Sequence, residues 1–519
     1  MDCDVLIVGA GPTGLMLANQ LARRGVRAPI IDRHAGPARE TRALGVQART
    51  LEIYSKLGVV QRALALGKRG DGANLWADGH RVARVPLADA GARLSPYPYL
   101  LVLGQDDNEK ILGEQLQAFG QSVQWNTELL TLTQTPERVV ATLKQPDGSV
   151  REIEAAWVAG CDGAHSAVRE RSGIGFPGAP YEHVFFVADV QATGSMVADE
   201  VNVYLWKDGF HLLFPMRGQD HWRIVGILPA ALNDRDDVRF EDVIPSLREE
   251  AGAGLSFEAC SWFSTYRIHH RSASRFREGR AFVLGDAAHI HSPVGAQGMN
   301  TGLQDAYNLA WKLALVVQGK ADAALIDSYA AERMPVAQSL LRSTDEGFRL
   351  VVSDSAFAGL LRTQVVARLA GLAMKFRRVQ LAAFRAVSQT GIGYRKGPLA
   401  DGTLPDDAPQ GGDRFPWLKL VMQSGGAAED LFATLDDLRF HLLAFGQALP
   451  FGLPDFGGLV AAHAVPDDAA NDAVLAHARI PHRSFYLIRP DGYVGLCGGT
   501  LDADSIASYF HETLYVRDR

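Results

Sequence analysis

The chain opens on an unbroken run, Asp4-Val-Leu-Ile-Val-Gly-Ala-Gly-Pro-Thr-Gly-Leu-Met-Leu-Ala18, that writes a strand, a three-glycine turn and a helix start in sequence. Its apolar stretch is continuous rather than alternating, which predicts a parallel strand covered on both faces. The three glycines serve different ends. Gly9 allows the tight turn, Gly11 lets the backbone approach a pyrophosphate, and Gly14 lets helix and strand pack closely. The first amides of the helix and its dipole face the anion. A second apolar strand ends at Asp32, 18 residues past Gly14, close to the roughly 20-residue offset at which a carboxylate meets ribose hydroxyls. The ligand therefore carries an adenosine diphosphate half, as FAD and NAD(H) do.

A length of 519 residues implies two to four domains. With 47% hydrophobic and 21% charged residues the composition is that of a globular protein. No apolar run approaches the roughly 18 residues of a membrane span, and the glycine turn begins too early for a signal peptide, so a cytoplasmic protein is expected. Cys3, Cys161, Cys260 and Cys497 lie far apart with no CxxC pair, which indicates neither a metal site nor a disulfide framework. The net charge of −7 and pI near 6.1 argue against a nucleic-acid partner, because phosphate binding needs concentrated positive charge.

Farther on, Gln105 to Gly120 reads as a helix, Glu137 to Glu154 as a hairpin, and 72–97 as short strands. Between about 176 and 270 the apolar residues alternate with polar ones, as expected of a sheet with one polar face. Phe357 to Val387 reads as a helical stretch whose basic face is the solvated side of a packed helix, with docking on a membrane surface as the alternative. A Pro, Gly and Asp-rich linker from Lys396 to Phe415 marks a boundary, and a small α/β unit follows it. Two motifs then narrow the ligand. Cys161-Asp-Gly-Ala-His-Ser-Ala-Val-Arg169 follows an apolar strand, and Gly285-Asp-Ala-Ala-His-Ile-His-Ser-Pro-Val-Gly-Ala-Gln-Gly-Met-Asn300 follows another. In the second, Asp286 can accept from a ribityl hydroxyl, and the Gly298-Met299-Asn300 turn brings N–H donors to a helix start, as an anionic reduced flavin ring requires.

On these three segments the chain resembles the FAD-dependent aromatic hydroxylases of the para-hydroxybenzoate hydroxylase fold, over about residues 1 to 345. Its tail is similar, more loosely, to the thioredoxin-like domain of the phenol and polyketide hydroxylase branches, without their CxxC. The resemblance implies an α/β architecture: a Rossmann-like FAD-binding domain (1–75, 98–175 and 271–345), an inserted mixed-sheet substrate domain (76–97 and 176–270), a helical region (346–395) and a thioredoxin-like C-terminal domain (396–519). It places the pyrophosphate on Gly9, Gly11 and Gly14 with Thr13 nearby, and the adenosine ribose on Asp32 and Arg33. Arg42 and Gln105 would hold the phosphate and ribityl region, and Leu129 would lie near the adenine. Asp162 and Gly163 would serve both FAD and NAD(P)H, Asp286 the ribityl chain, Pro293 and Gly298 the donor loop, and Met299 and Asn300 the isoalloxazine edge. His289 and His291 shape that loop.

The implied activity is hydroxylation of a phenolic aromatic by O2 through a flavin hydroperoxide, with NADH or NADPH as electron donor. The protein must then keep water out and activate the phenol. Phe185, Trp206, Phe210, Phe214 and Trp222 are candidate aromatic walls, and His211, Arg223 and Tyr97 are candidate activating groups. A larger fused aromatic or polyketide-type substrate is the alternative, as are a flavin oxidase and a binding protein without turnover. A homodimer through the tail is expected.

Overall fold

In the computed structural model, the described residues are 1–38, 43–206, 209–250, 254–290, 297–352 and 367–517. The opening run folds as expected, with strand Cys3–Val8, a turn, and helix α1, Pro12–Ala22. Cys3–Val8 is central in a sheet ordered Arg277–Glu278, Ala281–Val283, Val150–Gly160, Cys3–Val8, Ile30–Ile31, Val123–Gln124. Its pairings with Val150–Gly160 and Ile30–Ile31 are parallel, and an antiparallel hairpin arm, Val139–Lys144 against Val150–Gly160, extends from the sheet. Because both faces are covered, Val5, Leu6 and Ile7 have no solvent contact, and alternation never appears in their sequence. Helices α2, Ala48–Leu57, and α3, Gln105–Ala118, complete this part of the layer.

The alternating region forms a second, eight-stranded sheet. Its order is His289–Ile290, Leu255–Ser272, Gly178–Gly194, His221–Ile227, Gly209–Pro215, Val201–Trp206, Ala73–Ala77, His80–Val85. Its central strands, His221–Ile227 and Gly209–Pro215, are covered on both faces, whereas Leu255–Ser272 and His80–Val85 keep the exposed polar positions expected of a half-solvated sheet. One packs Phe185, Val187, Phe210, Leu212 and Phe214 toward Leu44, Ala48, Leu100 and Val102 of the dinucleotide half. The other packs Phe186, Leu213, Trp222 and Ile224 under helix α4, Phe240–Glu250, through Phe240, Val243 and Leu247. That helix was not legible within the run of alternating strands. Likewise, 87–91 is a short helix where a strand is expected, and strand pairing begins at Ala73.

Two long helices follow: α5, Gly298–Val317, and α6, Asp327–Val352. Part of the basic stretch 357–387 lies outside the described residues. In its described part Lys375, Arg377, Arg378 and Arg385 are exposed while Phe384 is buried against the side of the second sheet that meets the dinucleotide half. The tail forms a five-stranded sheet ordered Asp401–Gly402, Val494–Gly498, Ser484–Ile488, Phe440–Phe445, Val460–Val465. Phe440–Phe445 runs parallel to Val460–Val465 and antiparallel to Ser484–Ile488.

Candidate functional site

The three motifs meet around one threonine. A Cβ on Gly302 of α5 would stand 2.3 Å from Thr13 Oγ1, and one on Gly285 would stand 2.6 Å from it. The first turn, the Gly285 turn and the start of α5 are therefore in direct contact, and side chains there would force them apart. Gly9 has φ +100, and a Cβ on it would fall 2.3 Å from the Cys161 carbonyl oxygen. Gly14 is equally constrained, since its Cβ would lie 1.9 Å from the Gly9 carbonyl oxygen. Gly11 differs: nothing lies within 4 Å of its Cβ position, and its φ of −69 is ordinary. Packing does not ask for a glycine there, so the open space is available to a ligand.

That space is a cavity of about 1140 Å³. Of the expected cofactor residues, Gly9, Gly11, Asp32, Arg33, Gln105, Leu129, Asp162 and Gly163 line it. Thr13 and Gly14 lie beneath it on α1. Asp32 Oδ2 accepts from the Ala10 amide at 2.8 Å, and Oδ1 accepts from the His34 amide at 2.8 Å. The carboxylate thus braces the glycine turn, and its remaining lone pairs can still meet ribose hydroxyls. Asp162 accepts from the Val168 amide through Oδ2, while Oδ1 is buried with no protein hydrogen bond; burial raises its pKa. A buried acceptor without a donor fits a cavity that a polar ligand completes. The residues present therefore fit an adenosine diphosphate group. Arg42 and Pro293 lie outside the described residues, as does His291.

The other end of the cofactor site forms at the start of α5. Gly298, Met299 and Asn300 supply the first amides of a 20-residue helix, a favourable place for developing negative charge. The Asn300 side chain is turned inward: Oδ1 accepts from the Gln47 amide at 3.0 Å and from Thr50 Oγ1 at 2.7 Å, and Nδ2 donates to the Gly45 carbonyl at 2.7 Å. What Asn300 can offer a flavin is its backbone. Asp286 is exposed between buried Gly285 and Ala287. His289 Nε2 stands 2.7 Å from Asp305 Oδ2, and Asp305 Oδ1 accepts from Arg333 at 2.7 Å, so this histidine locks the loop to α5 and α6.

Several contributors escaped the sequence reading. Glu109 lines the cavity and accepts from the Ala38 amide at 2.9 Å, closing the 33–38 segment over it. Its place four residues after Gln105, on the same side of α3, is the signal that could have found it. Arg169 donates to the Ala287 carbonyl at 3.0 Å and the Ala164 carbonyl at 2.8 Å, joining the second motif to the third. Trp125 and His165 also line the cavity.

The candidate activating groups separate. His211 points to the α4 side of its sheet, against Phe186 with ring centroids 5.7 Å apart. There burial pushes its pKa down to about 3. It lies on the face of the sheet turned away from the dinucleotide half. Tyr97 packs beside Tyr99 and hydrogen-bonds Ser55 in the C-terminal half of α2, away from the helix start. Of the three, Arg223 lies on the side that meets the dinucleotide half, opposite Phe214, where Asp189 binds it in two places, one of them at 2.5 Å, and Trp262 lies 5.2 Å beneath its guanidinium. Among the aromatic walls, Phe185, Phe210 and Phe214 face the dinucleotide half and Trp222 faces α4. The Trp206 side chain lies outside what is described.

A dinucleotide fold whose glycine turn opens on a large cavity, with a second sheet packed against it, defines a dinucleotide-binding protein. The family described as FAD binding domain matches residues 2–344, and the chain belongs to it. It is 34% identical over 517 residues to the 6-methylpretetramide 4-monooxygenase of Streptomyces rimosus, covering 95% of this chain and 90% of that protein. It is also 34% identical to the pentachlorophenol 4-monooxygenase of Sphingobium chlorophenolicum, over 66% of this chain and 64% of that one. Among solved structures, the anhydrotetracycline hydroxylase OxyS of Streptomyces rimosus superposes with a TM-score of 0.78 at 28% identity, covering 100% of both chains. The chain is accordingly an FAD-dependent aromatic monooxygenase.

Proposed function

We propose that this enzyme hydroxylates a fused polycyclic phenol, using NADH or NADPH as electron donor, as a single-component cytoplasmic protein. The observation that carries the choice of substrate is the span of the likeness. The 6-methylpretetramide 4-monooxygenase matches along nearly the whole chain, whereas the pentachlorophenol enzyme matches along two thirds of it. That difference favours a fused ring system over a simple phenol.

Bound FAD supplies the transfer of one oxygen atom of O2 to the ring; the chain supplies place and field. Gly9, Gly11 and the α1 start hold the pyrophosphate, Asp32 the adenosine ribose, and Asp286 the ribityl chain. The N–H groups of Gly298 to Asn300, at the start of α5, would serve the pyrimidine edge of the ring. The Phe185, Phe210 and Phe214 surface excludes water from the reacting face. Arg223, fixed by Asp189, offers a guanidinium N–H to the phenol oxygen and favours its deprotonated, more nucleophilic form. We divide the chain at the boundaries read from the sequence and take the tail as a thioredoxin-like scaffold.

The test is NAD(P)H oxidation against a panel of simple phenols and fused aromatics, with product mass and peroxide recorded and 18O2 supplied. A fused phenol that accelerates oxidation and gains one labelled oxygen is the expected result. Peroxide alone from every fused aromatic, with labelled product only from a simple phenol, overturns the choice of substrate. In Arg223→Met, KM for the phenol rises and the peroxide share grows, while FAD content stays at the wild-type level.

A further inference from the structure

Helices α2 and α5 begin at the same place. Asn300 of α5 holds the Gln47 amide and the Thr50 hydroxyl at the start of α2, so two positive helix ends lie side by side at the donor loop. The tail grips both helices farther along. On α2, Arg414 donates to Glu52 Oε2 at 3.0 Å and Oε1 at 2.5 Å, and Arg49 Nη2 donates to the Asp491 carbonyl at 2.5 Å. On α5, Tyr307 donates to the Pro490 carbonyl at 3.2 Å, and Asn308 and Trp311 donate to Asp491 Oδ2 at 3.3 and 3.1 Å. The Glu52 and Arg414 side chains are 2% and 6% exposed, so salt barely screens their attraction.

We propose that Arg414 and the Arg489–Gly492 turn are positioning elements of the flavin site. They fix the two helix starts relative to each other, and with them the positive field at the pyrimidine edge of the ring. None of these residues touches the cofactor; each acts through α2 or α5. The inference rests on the FAD reading above and adds to it a role for the tail, which otherwise serves only as scaffold or interface.

The experiment compares wild-type holoenzyme with Arg414→Gln, Arg414→Lys and Arg395→Gln. The last breaks the pair that exposed Arg395, just before the tail, makes with half-buried Asp413 and serves as control. Three quantities are read on each: the midpoint potential of bound FAD, the rate of flavin release by fluorescence, and the thermal midpoint. Reduction adds negative charge to the ring, so a displaced helix start makes Arg414→Gln harder to reduce. Its potential falls and its release quickens at least about tenfold, while Arg414→Lys recovers part of both changes and Arg395→Gln matches wild type. An Arg414→Gln holoenzyme that loses thermal stability yet keeps the wild-type potential and release rate overturns the inference. Tyr307→Phe covers the case in which Arg414→Gln does not fold: a shift in the same direction supports the proposal, and wild-type values overturn it. Failure of the FAD reading looks different, since wild-type chain would then take up no added FAD.

Discussion

Gly11 and Gly302 separate the two demands that a glycine can meet. At Gly302 the demand comes from protein, since a methyl group would strike Thr13 Oγ1. At Gly11 it comes from the ligand, since the protein leaves the space open. Gly11→Ala is therefore expected to fold with stability within about 0.5 kcal/mol of wild type and to bind FAD at least about tenfold more weakly. Gly302→Ala is expected to lose about 1–3 kcal/mol by overpacking and flavin with it. Urea unfolding of apoprotein and FAD titration check both. His211 and His441 provide a separate test, because burial holds their pKa values down at about 3 and about 4, against an ordinary 6.5. Folding favours their neutral forms, so their stability contribution is complete above pH 6.5 and is lost as pH falls toward the folded values. Each histidine adds up to about 1.4 kcal/mol per pH unit to that slope. His211→Gln should flatten the decline of unfolding free energy between about pH 6 and pH 5 relative to wild type.

At the scale of elements, the long helices are joined by charge rather than by apolar surface alone. Glu332 of α6 accepts from Arg489 Nη1 at 2.5 Å and from Lys312 at 2.7 Å, all three side chains fully buried. Burial opposes the charge on Glu332, but Arg489 and Lys312 hold its pKa down at about 2. Removing one member strands the others, so Arg489→Met is expected to cost about 3–5 kcal/mol, read as a shift in the denaturant midpoint. The sequence could not show this, because residues 312, 332, 489 and 491 share no spacing or motif. It also concealed α4, whose apolar positions Phe240, Val243 and Leu247 fall among strands, and the two-sided burial of the central strands in the sheet that α4 covers. Alternation carries which side chains share a face; it does not carry which face meets the dinucleotide half. His211 and Phe210 are neighbours in sequence and opposite in position.

For the whole molecule, the tail is an integral part of the interior. Cutting at Lys396 removes Arg414, Arg489 and Asp491, leaving Glu52, Glu332 and Lys312 buried without those partners. The expected product is insoluble or flavin-free, rather than a folded holoenzyme with altered oligomeric state; expression, solubility and visible absorbance check this. A homodimer remains our reading of the assembly and is tested by light scattering on the full chain. The tail surface around Arg489 and Asp491 is already committed to its own α5 and α6. What the sequence by itself determined was the dinucleotide turn, the acid at Asp32, the two flavin motifs and the alternating sheet, because each is written in neighbouring residues whose spacing is the spacing of a strand or a helix turn. Tertiary structure alone decided that Thr13 joins the three motifs, that His211 faces away from the dinucleotide half while Arg223 lies on the side that meets it, and that the tail holds α2 and α5 together. Those outcomes depend on residues hundreds of positions apart being brought within hydrogen-bonding distance, and no local pattern records such a meeting.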